Sequence, residues 1–301
     1  MSVENQYSIG TVSMVDHTTL KPMASWTIGD HVRNARTTGY NGVELWPQGP
    51  IPRIQIATGL ISQAEKDGIT STHQSVGKGL IESALRFDKR ETFKAAVLPG
   101  SVQSLTQLEK VKGLVDRDIP VVLFNNLPEG YLDHTSYTQT GIQTAPELCD
   151  EIGASNAEEF VEAIKEIGFG SVVIDTHHIR RPNVKTGEQN PLADWRRSIP
   201  VLLPHTKEIH IGLGRADYGG ISEDKIGDEL KDFLNKGSNN TEITQMMRLV
   251  ADLGWGGLVV MELRPYMIKK VLEQKGFQLT ERNLQVALNG MRDTLYDIFD
   301  K

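Results

Sequence analysis

The chain has 301 residues, 39% of them apolar and 24% charged, with a formal charge of −7. That composition supports one large buried core and excludes disordered and collagen-like classes. The acidic balance argues against the basic face that a phosphate backbone needs, so a small-molecule partner is expected and nucleic acid is not.

Residues 1–10 are polar and include Glu4, without the positively charged start and apolar stretch of a secretory leader. No run reaches the ~20 apolar residues of a membrane span, and no membrane association is expected. Cys149 is the only cysteine, which rules out a disulfide within the chain and fits a reducing compartment. The expected location is the cytoplasm, and Cys149 is read as a small buried apolar residue.

Short apolar runs then alternate with longer helical patterns along the whole chain. The runs that read as strands are residues 10–15, 42–46, 69–73, 94–98, 121–125, 171–175, 207–211 and 258–262. The fourth of them is the weakest, because Pro99-Gly100 follows directly. Residues 130–144 are crowded with Tyr, Thr, Gly and His without a period, and read as a long loop or lid after the fifth strand. Helical spacing is clear in Ala157, Phe160, Val161, Ile164 and Ile167, ending at Gly168. It recurs in Ile243, Met246, Met247, Val250 and Leu253, preceded by Asn240 or Thr241 as N-cap, and in Leu284, Ala287, Met291, Leu295 and Ile298. Strand and helix repeated eight times without a composition break predict a single-domain (β/α)8 TIM barrel over residues 1–301.

A barrel of this kind places its chemistry where the strands end. Here the runs close on Glu44 and Trp46, His73, Asn125 and Asn126, Asp175 with His177 and His178, His210, and Glu262. The segment Val172-Val173-Ile174-Asp175-Thr176-His177-His178 runs from apolar residues directly into an acid and two imidazoles. Asp, His and Glu at three successive strand ends are oxygen and nitrogen ligands that suit Mn2+, Mg2+, Co2+ or Zn2+. His177 alternates to the other side and reads as structural. His17 and Lys21, just past the first strand, are weaker candidates. The glycine-rich stretch 212–220 lacks the strand-to-helix spacing of a nucleotide fingerprint, so no nucleotide cofactor is expected.

The segments Gly39-Tyr40-Asn41-Gly42-Val43-Glu44-Leu45, residues 121–130, 173–178, 209–214 and 254–262 together resemble the xylose-isomerase-like barrels, the sugar phosphate isomerase and epimerase superfamily. The resemblance covers nearly the whole chain and implies a divalent metal held by a Glu, an Asp, a His and a Glu after strands five to eight. Carried over, these positions are Asn125, Asp175, His210 and Glu262. Asn125 stands where a carboxylate is expected, which implies a weaker site and leaves Glu262 alone of the two opposed carboxylates that epimerases of this class use. His178 falls on a substrate-binding or proton-moving position, Arg215 on an arginine aimed at substrate oxygens, and His73 on a polar residue that holds substrate or metal. Trp46 offers an apolar wall for a sugar face, Arg264 an anion clamp, Asn126 a further contact, and Glu44 an orienting partner.

The expected activity is therefore isomerisation or epimerisation of a small sugar, sugar phosphate or polyol, or dehydration of a keto-polyol. The Asn125 departure motivates an alternative, a barrel that binds a polyhydroxy ligand without catalysis. The superfamily's abasic-site nucleases are opposed by the chain's acidity. Homo-oligomers are common among such barrels, and the sequence assigns no interface.

Overall fold

The computed structural model describes residues 6–10, 15–16, 21–22, 39–40, 42–44, 94–96, 121–123, 139, 141, 144–147, 154–180, 188–212, 241–262 and 281–299. Its strands are β1 (Gln6–Gly10), β2 (Val15–Asp16), β3 (Lys21–Pro22), β4 (Gly42–Glu44), β5 (Lys94–Ala96), β6 (Val121–Leu123), β7 (Thr144–Pro146), β8 (Val172–Asp175), β9 (Thr206–Gly212) and β10 (Leu258–Glu262). The helices are α1 (Ala157–Ile167), α2 (Trp195–Leu202), α3 (Glu242–Asp252) and α4 (Glu281–Phe299).

One parallel sheet runs β5-β4-β1-β10-β9-β8. A parallel bridge between Glu147 and Val173 carries the order on to β7, which pairs in parallel with β6. The last strand thus lies against the first, β10 on β1, and the remaining strands follow chain order on either side. That is the neighbour order of a parallel α/β sheet of the kind barrels use, over the described strands from β5 to β6. The short β2–β3 hairpin is antiparallel and stands apart.

This order corrects three expectations. Residues 69–73 lie outside the described residues, but β5 pairs directly with β4, so 94–96 is the third strand of the ring and no strand intervenes. Among the described strands of the two parallel sheets, the run at 121–125, seen as β6, comes fourth in chain order. Next comes β7, which begins at Thr144, the last residue of the stretch read as a loop, and runs on beyond it. Thr144-Ala145-Pro146 escapes a pattern search because it has three residues, one small apolar side chain and a proline, which is excluded from most strands.

Strands β8, β9 and β10 are buried on both faces, as expected of parallel strands covered by helices, and so read as continuous apolar runs. Their inner face packs Ala145, Val173, Leu258 and Val260 against one another. Their outer face presents Ile174, Ile209, Ile211, Val259 and Met261. Neighbouring helices pack in turn, α1 on α2, α2 on α3 and α3 on α4.

The helix ends follow their local chemistry. Asn156 caps α1 by accepting the Glu159 amide at 2.9 Å, and Gly168, with φ of 101°, turns the chain out by donating to the carbonyls of Ile164 and Lys165. Thr241, one of the two residues read as a cap, caps α3 through the Thr244 amide. In α4 the expected face is buried at Met291, Leu295 and Ile298. Helix α2 went unread because Pro200 sits inside it, yet Trp195, Ser198, Ile199 and Leu202 form its buried stripe. Among the described residues no helix is long and apolar enough to cross a membrane.

Two substitutions test this packing by chemical denaturation. Ile174→Ala, at one of the largest fully buried side chains, is expected to cost about 2–5 kcal/mol. Asn156→Ala is expected to cost about 1 kcal/mol, and a loss below a few tenths would contradict its capping role.

Candidate metal centre

Three strand ends meet in one buried cluster, and the backbone of a fourth closes beside them. Asp175 closes β8 and is the register partner of His210 on β9. Glu147 follows β7 and bridges to Val173, two residues before Asp175. Glu262 closes β10 in register with Gly212, the last residue of β9. Glu147, Asp175 and His210 each offer a ligand atom, and these atoms lie within 4.8 Å of one another. All three residues are buried, at 0%, 2% and 0% exposure.

Glu147 Oε1 lies 3.5 Å from His210 Nδ1 and 3.8 Å from His178 Nε2. His178 Nε2 is also 3.5 Å from Asp175 Oδ2. The other Asp175 oxygen, Oδ1, accepts the backbone amides of His177 and His178, so an Asx-type turn fixes the carboxylate at the strand end. Burial acts to raise the Asp175 pKa, but His178, then His177, a hydrogen bond from the Glu147 side chain and His210 outweigh it. The net effect holds the Asp175 carboxyl below its ordinary range.

Two neighbours keep the strand ends together. Thr176, fully buried, exchanges hydrogen bonds with Gly212 through its hydroxyl, accepting the amide at 3.0 Å and donating to the carbonyl at 3.2 Å. Its own amide donates to the His210 carbonyl at 3.0 Å. Gly212 leaves room for Asp175, since a Cβ there would stand 2.7 Å from Asp175 Oδ1 and 2.9 Å from His177 Cβ. Beyond the strand end, Asn190 holds the His178 carbonyl at 2.9 Å. Arg180 donates from Nε to the Thr176 carbonyl and reaches Glu242 at 3.6 Å, tying the turn to α3.

The residues expected from sequence divide in two. Asp175, His178 and His210 are brought together. The backbone of Glu262 ends the adjacent strand, while its side chain and Asn125, Asn126, His73, Trp46, Arg215 and Arg264 lie outside the described residues. His177 is buried and stands edge-on to His178, with ring centroids 5.5 Å apart. Sequence reading missed Glu147, whose strand it did not recognise, and with it the fact that a carboxylate does stand beside Asp175. Asn125 follows the fourth strand, and β7 separates that strand from β8. Glu208 was missed too, although its signal was visible: a charged residue two positions before His210, on the same side of an apolar strand.

These features define a parallel α/β protein with a carboxylate–imidazole cluster at the carboxyl ends of its strands. Solved structures show similarity to the chain. L-ribulose 3-epimerase matches with a TM-score of 0.52 and 12% identity, covering 98% of this chain and 95% of that one. Endonuclease IV from Thermus thermophilus matches at 0.47 and 15%, over 97% and 99% of the two chains. A xylose isomerase-like TIM barrel protein from Mycobacterium smegmatis, solved with magnesium, matches at 0.38 and 13%, over 99% and 97%. At 12% identity the match to L-ribulose 3-epimerase shows a shared fold. No protein-family profile matches the sequence, and no curated protein matches it.

Gly212→Ala should force the Asp175 carboxylate aside and lower stability by about 1–3 kcal/mol through overpacking. Thr176→Val should cost a similar ~1–3 kcal/mol by leaving the buried Gly212 amide unpaired. Urea titration checks both, and an unchanged midpoint would refute the role assigned to either residue.

Proposed function

We propose that the chain is a divalent-metal-dependent isomerase or epimerase of a small sugar, sugar phosphate or polyol. The observation that carries this reading is the meeting of Glu147, Asp175 and His210 at the carboxyl ends of three neighbouring strands. Two carboxylates and one imidazole, buried with ligand atoms within 4.8 Å of one another, suit Mn2+, Co2+, Mg2+ or Zn2+. With Glu262 they would complete the Glu, Asp, His, Glu set that the superfamily resemblance implies. Three carboxylates around a dication leave a net charge of about −1, which holds a cation more firmly than the neutral set inferred with Asn125.

Glu147 takes the place first given to Asn125, and the motive for a non-catalytic binding barrel goes with it. It also restores the second base. Strands β7 and β10 stand on opposite sides of the β8–β9 pair. A substrate lying over β8 and β9 would thus have Glu147 toward one side and Glu262 toward the other. One carboxylate removes the proton beside the substrate carbonyl, and the other returns it to the opposite face or to the neighbouring carbon. The bound metal would supply electrostatic stabilisation of the charge that develops on the carbonyl oxygen. His178, held by Asp175, is placed to donate to a substrate oxygen. Arg215, Arg264, His73, Trp46 and Asn126 are assigned to orienting the substrate, and no nucleotide is required.

The test is proton exchange. Metal-loaded protein is incubated in D2O with a panel of aldoses, ketoses, their phosphates and keto-polyols, and deuterium beside the carbonyl is read by NMR. At least one substrate class should exchange, and Glu147→Gln or Glu262→Gln should slow exchange by about 100-fold or more. Exchange absent from the whole panel, or untouched by both substitutions, would overturn the proposal.

A further inference from the structure

Among the described residues, the interior of the sheet holds one carboxylate that the proposed reaction does not use. Glu208 is fully buried on β9, with Val173 and Leu258 as its register partners. Ala145, Val173, Leu258 and Val260 make that interior apolar. A carboxylate in such surroundings is costly unless a partner compensates it. Its Oε1 lies 3.0 Å from His210 Nε2, while Oε2 has no hydrogen-bond partner among the described residues. The partner shown for Glu208 is therefore the imidazole of the cluster.

We propose that Glu208 is a positioning residue that fixes the tautomer and orientation of His210 for metal binding, an inference that rests on the metal-centre reading above. An ionised carboxylate only accepts hydrogen bonds, so the proton of a neutral His210 ring sits on Nε2, the atom facing Glu208. The lone pair is then left on Nδ1, the atom that faces Glu147 Oε1 at 3.5 Å. Glu208, His210 and the cation would form a carboxylate–histidine–metal relay, in which the outer carboxylate raises the basicity of the ligand and stops the ring from turning. Val173 pairs with both Glu208 and Glu147, so the same stretch of β8 carries the outer carboxylate on one side and the ligating one on the other. Stability alone does not account for Glu208, because a leucine would fill the same space without burying a charge.

The test compares wild type, Glu208→Leu and Glu208→Gln, using Co2+ alone as the probe. Three quantities are measured: Co2+ affinity by titration, the ring tautomer of His210 from 15N shifts in metal-free 15N-histidine-labelled protein, and the thermal midpoint of the metal-free form. Glu208→Leu should bind Co2+ about 10–100-fold more weakly and lose the Nε2–H tautomer, with an unchanged or higher midpoint. Glu208→Gln still offers an oxygen to Nε2–H, so it should keep the tautomer and lose less affinity. If the leucine variant does not fold, the glutamine variant decides: reduced affinity with the tautomer kept supports the inference, and wild-type affinity overturns it. Wild-type affinity and tautomer in Glu208→Leu would overturn the inference and leave the metal reading intact. A wild-type protein that binds no Co2+ would overturn the metal reading and this inference with it.

Discussion

The site depends on the register between β8 and β9. Asp175 and His210 are partners across that ladder, so their side chains leave the sheet at the same height. Thr176 and Gly212 lock the register just beyond them. A slip of one residue would turn Asp175 from the cluster to the outer face, because side chains alternate along a strand. Gly212 is bound to the same constraint, since the space beside it is already taken by the Asp175 carboxylate. Glu147 arrives by the next bridge along, and Glu262 closes the next strand on the other side. Backbone pairing thus gathers residues that are far apart in the chain.

The second constraint is electrostatic. Glu147, Asp175 and Glu208 are buried together with His177 and His210, and His178 is half-buried beside them. Carboxylates at such depth survive only through mutual hydrogen bonds, neighbouring positive charge or a bound cation. Asp175 has two backbone amides and the nearby imidazoles, which hold it ionised. For the rest, a dication between Glu147, Asp175 and His210 would compensate several acids at once. An apolar interior made of Val, Leu and Ala below this layer keeps water from weakening those attractions.

Much of this was legible in the sequence. Parallel strands buried on both faces are uninterrupted apolar runs, so β8, β9 and β10 stood out, and with them Asp175, His210 and Glu262 as strand-end polar residues. Helices α1, α3 and α4 were legible from one-sided apolar spacing, Gly168 and Gly254 marking two of their ends. Glu147 was not legible, because Thr144-Ala145-Pro146 carries little apolar signal and owes its strand geometry to neighbours on both sides. Helix α2 was hidden by Pro200. Counting residues 69–73 as the third strand also placed 121–125 fifth and set Asn125 beside Asp175. The pairing of β5 on β4 leaves no strand between those two, and no local pattern contains it.

The central claim is that Glu147, rather than Asn125, completes a divalent-cation site with Asp175 and His210. The direct measurement is an electron paramagnetic resonance titration of metal-free protein with Mn2+, comparing wild type, Glu147→Gln and Asn125→Ala. The account predicts a saturable wild-type site near one Mn2+ per chain, weakened by at least about tenfold in Glu147→Gln and little changed in Asn125→Ala. No saturable binding in wild type, or a loss in Asn125→Ala with Glu147→Gln unaffected, would contradict it.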